Sequence, residues 1–371
     1  MIDTICLHMR RLVAGRAPIT TKRRSTFVRF LHRASAFSIA ISQLFIGAAA
    51  AQSATAVNEY LHKMGLDDSQ IASAAAGHPI VKLMPAKSDG DVVVFGVVGA
   101  RVSTGDYLKH ALDPGRLIVA NGGRFHIISD PATSADVRDV VFDSSEYRDL
   151  KDCRRGNCNF KLPASAMKAF AEGVNWSAPD AKAQADAQLQ AGMLRLINAY
   201  RSRGNDAMLT YDDQSGMRSA DAFSALLGQS TDLYEYGPQL QKYLATYPSN
   251  RPTGVRDILY WSNDHLPRVR PTITLNHVVV YPSSPGTTLI ARKQVYASHY
   301  FDGAFELLAA VGAGAQAADA PIYLITVRRF RFDNLPTGVL NVRGRVRDGG
   351  VQATRSSLEH ERSSAERLAR Q

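Results

Sequence analysis

Long apolar runs are scarce in this 371-residue chain. The one near its start, Ala36 to Ala50, is about 15 residues long and is interrupted by Ser38, Ser42 and Gln43. A bilayer-crossing helix needs ~20, so a retained anchor is disfavoured. Carboxylates are almost missing from the same region. Asp3 stands alone against Arg10, Arg11, Arg16, Lys22, Arg23, Arg24, Arg29 and Arg33. The apolar run ends in Ala49-Ala50-Ala51. Basic, then apolar, then small is the order of an export signal, so residues 1–51 are expected to be one and the rest to be periplasmic or secreted. The signal carries seven of the ten net positive charges. What remains is only mildly basic, and composition no longer argues for a nucleic-acid partner.

Cysteine is equally sparse. Of three, Cys6 falls in the signal, leaving Cys153 and Cys158 in Cys-Arg-Arg-Gly-Asn-Cys. In an oxidising compartment such a pair reads as a disulfide. Half of a zinc site is the alternative, but no second cysteine pair completes it. Catalytic signatures are missing too. There is no Gly-x-Ser-x-Gly elbow, no phosphate-binding Gly-Lys-Ser/Thr loop and no His-Glu-x-x-His. The glycines at 96, 99, 122 and 123 do not form a dinucleotide fingerprint. No cofactor and no metal site is expected.

What is present is α+β in order. Ile80–Met84 and Asp91–Val102 read as a hairpin around the polar turn 85–90. Ser103 to Asp106 caps a short helix stopped by Asp113-Pro114-Gly115. Leu117–Val119 and Phe125–Ile128 read as short strands. Residues 163–247 are helical in pattern, most clearly Ala178–Arg203 with Leu189, Met193, Leu196, Ile197 and Tyr200 on one face. Strands return at Ile258–Trp261, Thr272–Tyr281, Thr288–Ala297 and Ile322–Phe332, with the small-residue stretch Gly303–Ala320 between the last two. A final helix is expected over about 339–368, fraying beyond Leu358. Residues 52–371 thus read as one domain: an antiparallel sheet with a covering terminal helix and a helical insertion at about 163–247.

Three segments carry a resemblance to the START-like, helix-grip superfamily of polyketide cyclases and lipid-transfer proteins. Asp91 to Asp106 is similar to its first strand and short helix. Leu289–Ser298 with Ile322–Asp333 resemble its last strands. Asn334–Leu358, with Leu335-Pro336 and Val339-Leu340-Asn341, resembles its terminal helix. The stretch Tyr296 to Asp302 is also similar to exported bacterial proteins of unknown function. The superfamily resemblance implies a curved sheet wrapped around the helix, with a cavity between them for an apolar small molecule or lipid.

Candidate chemistry gathers at Ser298-His299-Tyr300-Phe301-Asp302 and at His277. Ile273, Leu275, His277 and Val279 share a strand face. With the turn near Ser284, His277 lies opposite about Ala291, which leaves His299 about 26 Å further along. One ion cannot be held by both. His277, Tyr296, His299 and Tyr300 are therefore expected as ligand-lining residues, and His299 with Asp302 as the alternative positioned base of a hydrolase. Arg328, Arg329, Arg331, Arg343, Arg345 and Arg347 suggest contact with a membrane surface, against a solvated strand end as the plain reading. Tyr234, Tyr236, Tyr243 and Tyr247 read as packing residues. The expected function is non-enzymatic binding of an apolar ligand in the cell envelope. An envelope hydrolase, or an adaptor with a filled core, is the alternative.

Overall fold

The computed structural model describes residues 55–118, 123–214, 216–230, 237–265, 270–312, 322–333 and 342–371. All fall within one unit, Gly47–Gln371. The proposed signal, Tyr234, Tyr236 and the segment 334–341 lie outside the described residues.

The architecture is α+β, as expected. Eight strands form one curved antiparallel sheet. They are β1 (Ile80–Met84), β2 (Asp91–Ala100), β3 (Phe125–Ile127), β4 (Arg256–Asp264), β5 (Thr272–Ser284), β6 (Thr287–Ala297), β7 (Phe301–Gly312) and β8 (Ile322–Phe332). Their spatial order is β1-β2-β8-β7-β6-β5-β4-β3. The early strand β2 pairs with the last, β8, from Asp91↔Arg331 to Ala100↔Ile322. The helices α1 (55–63) and α2 (Asp68–Ala75) precede β1, and α3 (Thr104–Leu112) and α4 (Pro114–Leu117) follow β2. Next come α5 (Tyr147–Lys151), α6 (Ala164–Gly173), α7 (Ala181–Arg203), α8 (Ser219–Gly228) and α9 (Pro238–Thr246), and finally α10 (Val342–Leu368).

Both faces of the sheet are covered, so its central strands lack the apolar-polar alternation of a half-exposed sheet. Every residue of β2 is buried. On one face Val98, Val278, Val280, Ile290, Leu308 and Leu324 pack with Tyr107 and Ala111 of α3 and with Leu358 and Ala365 of α10. On the other, Phe95, Val97, Leu275, Val279, Leu289 and Phe305 pack with Leu61, Ile197, Tyr200, Phe223 and Leu240. The 163–247 helices are thus one layer of the core and do not stand apart from it.

Three expectations are corrected. The Gly303–Ala320 stretch is not all connection: its first half belongs to β7. Small residues there admit a helix, since a Cβ on Gly303 would lie 3.4 Å from Ala222 Cβ of α8. Leu117, expected to open a strand, ends α4, whose turn is capped by Asp113. The chain beyond Leu358 does not fray. Helix α10 runs to Leu368 and buries Thr354, Leu358, Glu361 and Ala365 at spacings of four, three and four. Its stripe contains a carboxylate, which an apolar-only reading passes over.

Glycines in β2 set how closely helices approach the sheet. A Cβ on Gly96 would lie 2.8 Å from Leu358 Cδ1 of α10. On Gly99 it would lie 2.9 Å from the carbonyl oxygens of both Ala74 and Ala75 of α2. Backbone there must move to make room. Gly99→Ala is therefore expected to cost about 1–3 kcal/mol, the range for overpacking. A lowered urea midpoint at unchanged slope would show it, and a wild-type midpoint would refute it.

Candidate functional site

The four residues expected to line a ligand site sit at different places and all touch protein. His277 is fully buried on β5, opposite Lys293. Its Nε2 lies 2.9 Å from Asp257 Oδ1 and its Nδ1 2.9 Å from Tyr200 Oη. Asp257 also accepts from Tyr243 Oη at 2.9 Å and from Arg251 Nε at 2.9 Å. Lys293 Nζ donates to Tyr200 Oη at 3.0 Å and to Asn205 Oδ1. Donors align in one direction: Lys293 to Tyr200, Tyr200 to His277, His277 to Asp257. Burial pushes the His277 imidazole below its ordinary value, outweighing Asp257, so it acts as a neutral link. Tyr243 and Tyr247 join this cluster from α9 and the residue after it, with ring centroids 5.6 Å apart.

His299 belongs to another cluster. Its Nδ1 donates to the Asn159 carbonyl at 2.8 Å, and its Nε2 lies 2.7 Å from Glu146 Oε1. Asp302 is not its partner: Lys161 Nζ donates to Asp302 Oδ1 at 2.7 Å. Asp333 and Asp213 lie 3.3 and 3.6 Å from the same nitrogen. Burial pulls Lys161 down, but these carboxylates outweigh it and hold the ammonium above the ordinary lysine value. Burial, then Asp333 and Asp213, push Asp302 up, against the pull of Lys161. The hydrolase pair His299/Asp302 is thus drawn apart into two ion clusters. Tyr296 is buried near Tyr211, with ring centroids 6.4 Å apart. Tyr300 has φ 63°, and its Oη accepts the Arg270 amide at 2.9 Å.

Cys153 and Cys158 stand at disulfide distance, 1.93 Å between sulfurs, with Gly156 at φ 77° in the turn between them. The amide of Gly156 donates to the Asp212 carbonyl at 2.8 Å. This loop delivers Asn159 to His299 and Lys161 to Asp302.

The space between sheet and α10 is filled with charge. Glu361 of α10 accepts from Tyr107 Oη at 2.9 Å and lies 3.2 Å from His110 Nε2. Glu306 of β7 accepts from Arg328 Nε at 2.9 Å and Arg292 at 3.1 Å. Burial pushes Glu306 up, but the two guanidinium groups hold it at about 2. Arg331 forks onto Asp91 at 2.8 and 3.0 Å, and Arg329 donates to Ser230 at 2.7 Å. The β8 arginines are therefore engaged inside the fold, whereas Arg345 and Arg347 on α10 are exposed.

Concavities open elsewhere. One of about 220 Å³ lies on the α8 face, walled by Met64, Met84, Pro85, Val93, Leu307 and Val327, with Lys87, Gln229, Ser230 and Arg329 supplying polar groups. A second, of about 320 Å³, lies at β3. None of the four expected lining residues borders either. Among the described residues no group of three or more His, Cys, Asp or Glu could hold a metal ion, and no helix is long and apolar enough to cross a membrane.

Comparison with protein-family models, with curated proteins and with solved structures finds no match for this chain. Function has to be argued from the geometry alone.

Lys293 is illegible in the sequence because a lysine in a strand ordinarily faces solvent. It is in fact almost wholly enclosed, with its ammonium position 4.1 Å from the Phe223 ring centroid. Burial pushes its pKa well below the ordinary lysine value. Between that depressed value and the unfolded ~10.4, the unfolded chain binds a proton that the folded chain does not, so folding strengthens as pH rises. Lys293 is expected to contribute up to about 1.4 kcal/mol per pH unit in that window. Lys293→Met should therefore stabilise the protein most at pH 7, and less at pH 9. Urea titrations of both proteins at the two pH values read the difference; parallel shifts would show that Lys293 is charged in the fold.

Proposed function

We propose that the protein is an exported envelope protein that binds an apolar small molecule or lipid without transforming it. The observation that carries this reading is the concavity between α1, the β1–β2 hairpin and the end of α8. Six apolar side chains converge there, two of them methionines, whose flexible thioethers adapt to varied apolar shapes. Lys87 and Arg329 place positive charge beside that apolar wall. Apolar walls with a few converging polar groups are what a small-ligand site requires. About 220 Å³ is below the roughly 300–1,000 Å³ typical of drug-sized ligands. A single short chain with an acidic end fits it better than a whole two-chain lipid.

Export is supported by the basic, apolar, small order of residues 1–51 and by the Cys153–Cys158 pair. The exposed Arg345 and Arg347 would be the cations to meet an anionic membrane surface during ligand exchange.

Organic extraction of the purified protein followed by mass spectrometry should recover a bound amphiphile. A dansyl-labelled undecanoic acid should bind, and Leu307→Trp, which adds bulk at the concavity wall, should weaken binding at least about tenfold in a protein that is still folded, at a stability cost of about 1–3 kcal/mol because Leu307 is 1 % exposed. A clean extract together with no uptake of the probe would remove this function. Uptake unchanged by Leu307→Trp would remove this site.

A further inference from the structure

The second concavity, at the β3 edge of the sheet, contains a histidine held by a buried carboxylate. Its lining is Gly123, Arg124, Phe125, His126, Asp139 and Trp261. His126 and Trp261 face each other across β3 and β4, with rings stacked at 29°. Asp136 lies behind them in the turn after β3 and is 5 % exposed. Its Oδ1 is 3.1 Å from His126 Nε2. The same carboxylate accepts from Ser129 N at 2.9 Å, Ser129 Oγ at 2.7 Å, Thr133 N at 2.7 Å and Thr133 Oγ1 at 3.0 Å. Trp261 Nε1 donates to the Asp136 carbonyl at 2.7 Å, tying the turn to β4. Burial pushes the Asp136 carboxyl up, but these donors outweigh it and hold it well below the ordinary value. It is an anion throughout the neutral range.

An anion at Nε2 fixes the tautomer: Nε2 carries the proton, and Nδ1 carries the lone pair. The His126 side chain is 46 % exposed, so this nitrogen sits on a ring that solvent reaches. A base oriented by a buried carboxylate, in a cleft with a cation, is an arrangement for general-base chemistry. Among the described lining residues there is no serine, threonine or cysteine, so the nucleophile is water.

We propose that His126 is the general base of a hydrolytic site for small carboxylic esters, with Asp136 as its positioning residue and Arg124 facing the oxyanion. His126 Nδ1 takes a proton from water as the water oxygen bonds to the ester carbonyl carbon. The carbonyl electrons move onto oxygen, where the Arg124 charge stabilises them. The tetrahedral species collapses, the bond to the alcohol oxygen breaks, and the leaving alkoxide takes the proton back from the imidazolium. Water and ester become acid and alcohol, and no other reactant is needed. Trp261, stacked on the His126 ring, backs the cleft with an aromatic surface, and Phe125, 36 % exposed, adds an apolar rim. This site is separate from the α8-face concavity, so either reading can fail without the other.

The full-length protein is assayed with 4-nitrophenyl acetate. Turnover above buffer is expected. His126→Ala should lower it about 100-fold or more, the lower end of general-base contributions, with the melting temperature unchanged. After subtraction of imidazole's own rate with the ester, added imidazole should restore part of the rate to that variant and not raise the wild-type rate. Asp136→Asn should lower kcat with KM unchanged. Absence of turnover in wild type, or a His126→Ala rate equal to wild type, overturns the proposal; an unchanged kcat in Asp136→Asn overturns the role of Asp136.

Discussion

Covering both faces of one sheet obliges every charged group inside it to carry its own partner. An unpaired ion in such an interior costs several kcal/mol, whereas the same ion with complete hydrogen bonds roughly breaks even. The chain meets this obligation on each face separately. On the α10 face, Glu306 is shared by Arg292 and Arg328, and Glu361 reaches down to Tyr107 and His110. On the α7 face, Asp257, His277, Tyr200 and Lys293 pass hydrogen bonds in one direction. At the end of the sheet, Lys161 holds three aspartates. Removing one partner of a buried ion pair such as Arg292–Glu306 or Lys161–Asp302 strands the other, at about 3–5 kcal/mol; Lys293, which donates to the neutral Tyr200 and Asn205, is a different case. These clusters therefore specify which helix lies on which strand more than they add net stability.

This obligation explains why the helix-grip expectation was right in outline and different in its interior. The antiparallel sheet and the terminal helix follow from turn chemistry and periodicity, and the sheet's curvature from the resemblance. Pro285-Gly286, for example, joins β5 to β6 with Gly286 at φ 82°, the positive angle required after proline in a tight type II turn. The space between sheet and helix depends on which polar residues of β6, β7 and β8 face inward and whether α10 brings a counter-charge. Glu361 lies beyond the point at which the helix was expected to fray. The inward Arg292 is held by Glu306 and lies 3.9 Å from Glu361, so charge stands where the resemblance implies a cavity.

The same reason separates the legible residues from the illegible ones. His277 is legible as a histidine that interrupts an apolar strand face, expected there as a ligand-lining residue. Its partners are not, because Asp257 is twenty residues back and Tyr200 seventy-seven, and no local rule links them. His299 and Asp302 looked like a pair because they are three residues apart. In an extended strand that spacing sends them to opposite faces, and Tyr300 at positive φ separates them further, so each takes its partner from the loop stapled by Cys153 and Cys158. His126 carries no signal in the local sequence. Its significance lies in Asp136, whose spacing of ten residues matches no motif and works only because the 129–136 turn folds back beneath Trp261.

Placement of the two concavities follows from where the sheet obligation lapses. In the middle of the sheet, β5, β6 and β7 are covered on both sides, and their buried charges carry partners: Arg292 with Glu306, and His277 with Asp257. At the β1 edge the covering layer ends with Met64 and Ser230, and at the β3 edge only a three-residue strand pairs with β4. Side chains that water reaches can turn to a ligand without stranding a buried partner, and both edges offer such side chains. Lys293 and His277, though chemically more arresting, are closed off by Phe223, Tyr247 and the helices above them. Arg329 and His126 lie nearer solvent. The division is physical: buried titratable residues hold the layers in register, and the edges are where we propose the binding and the chemistry.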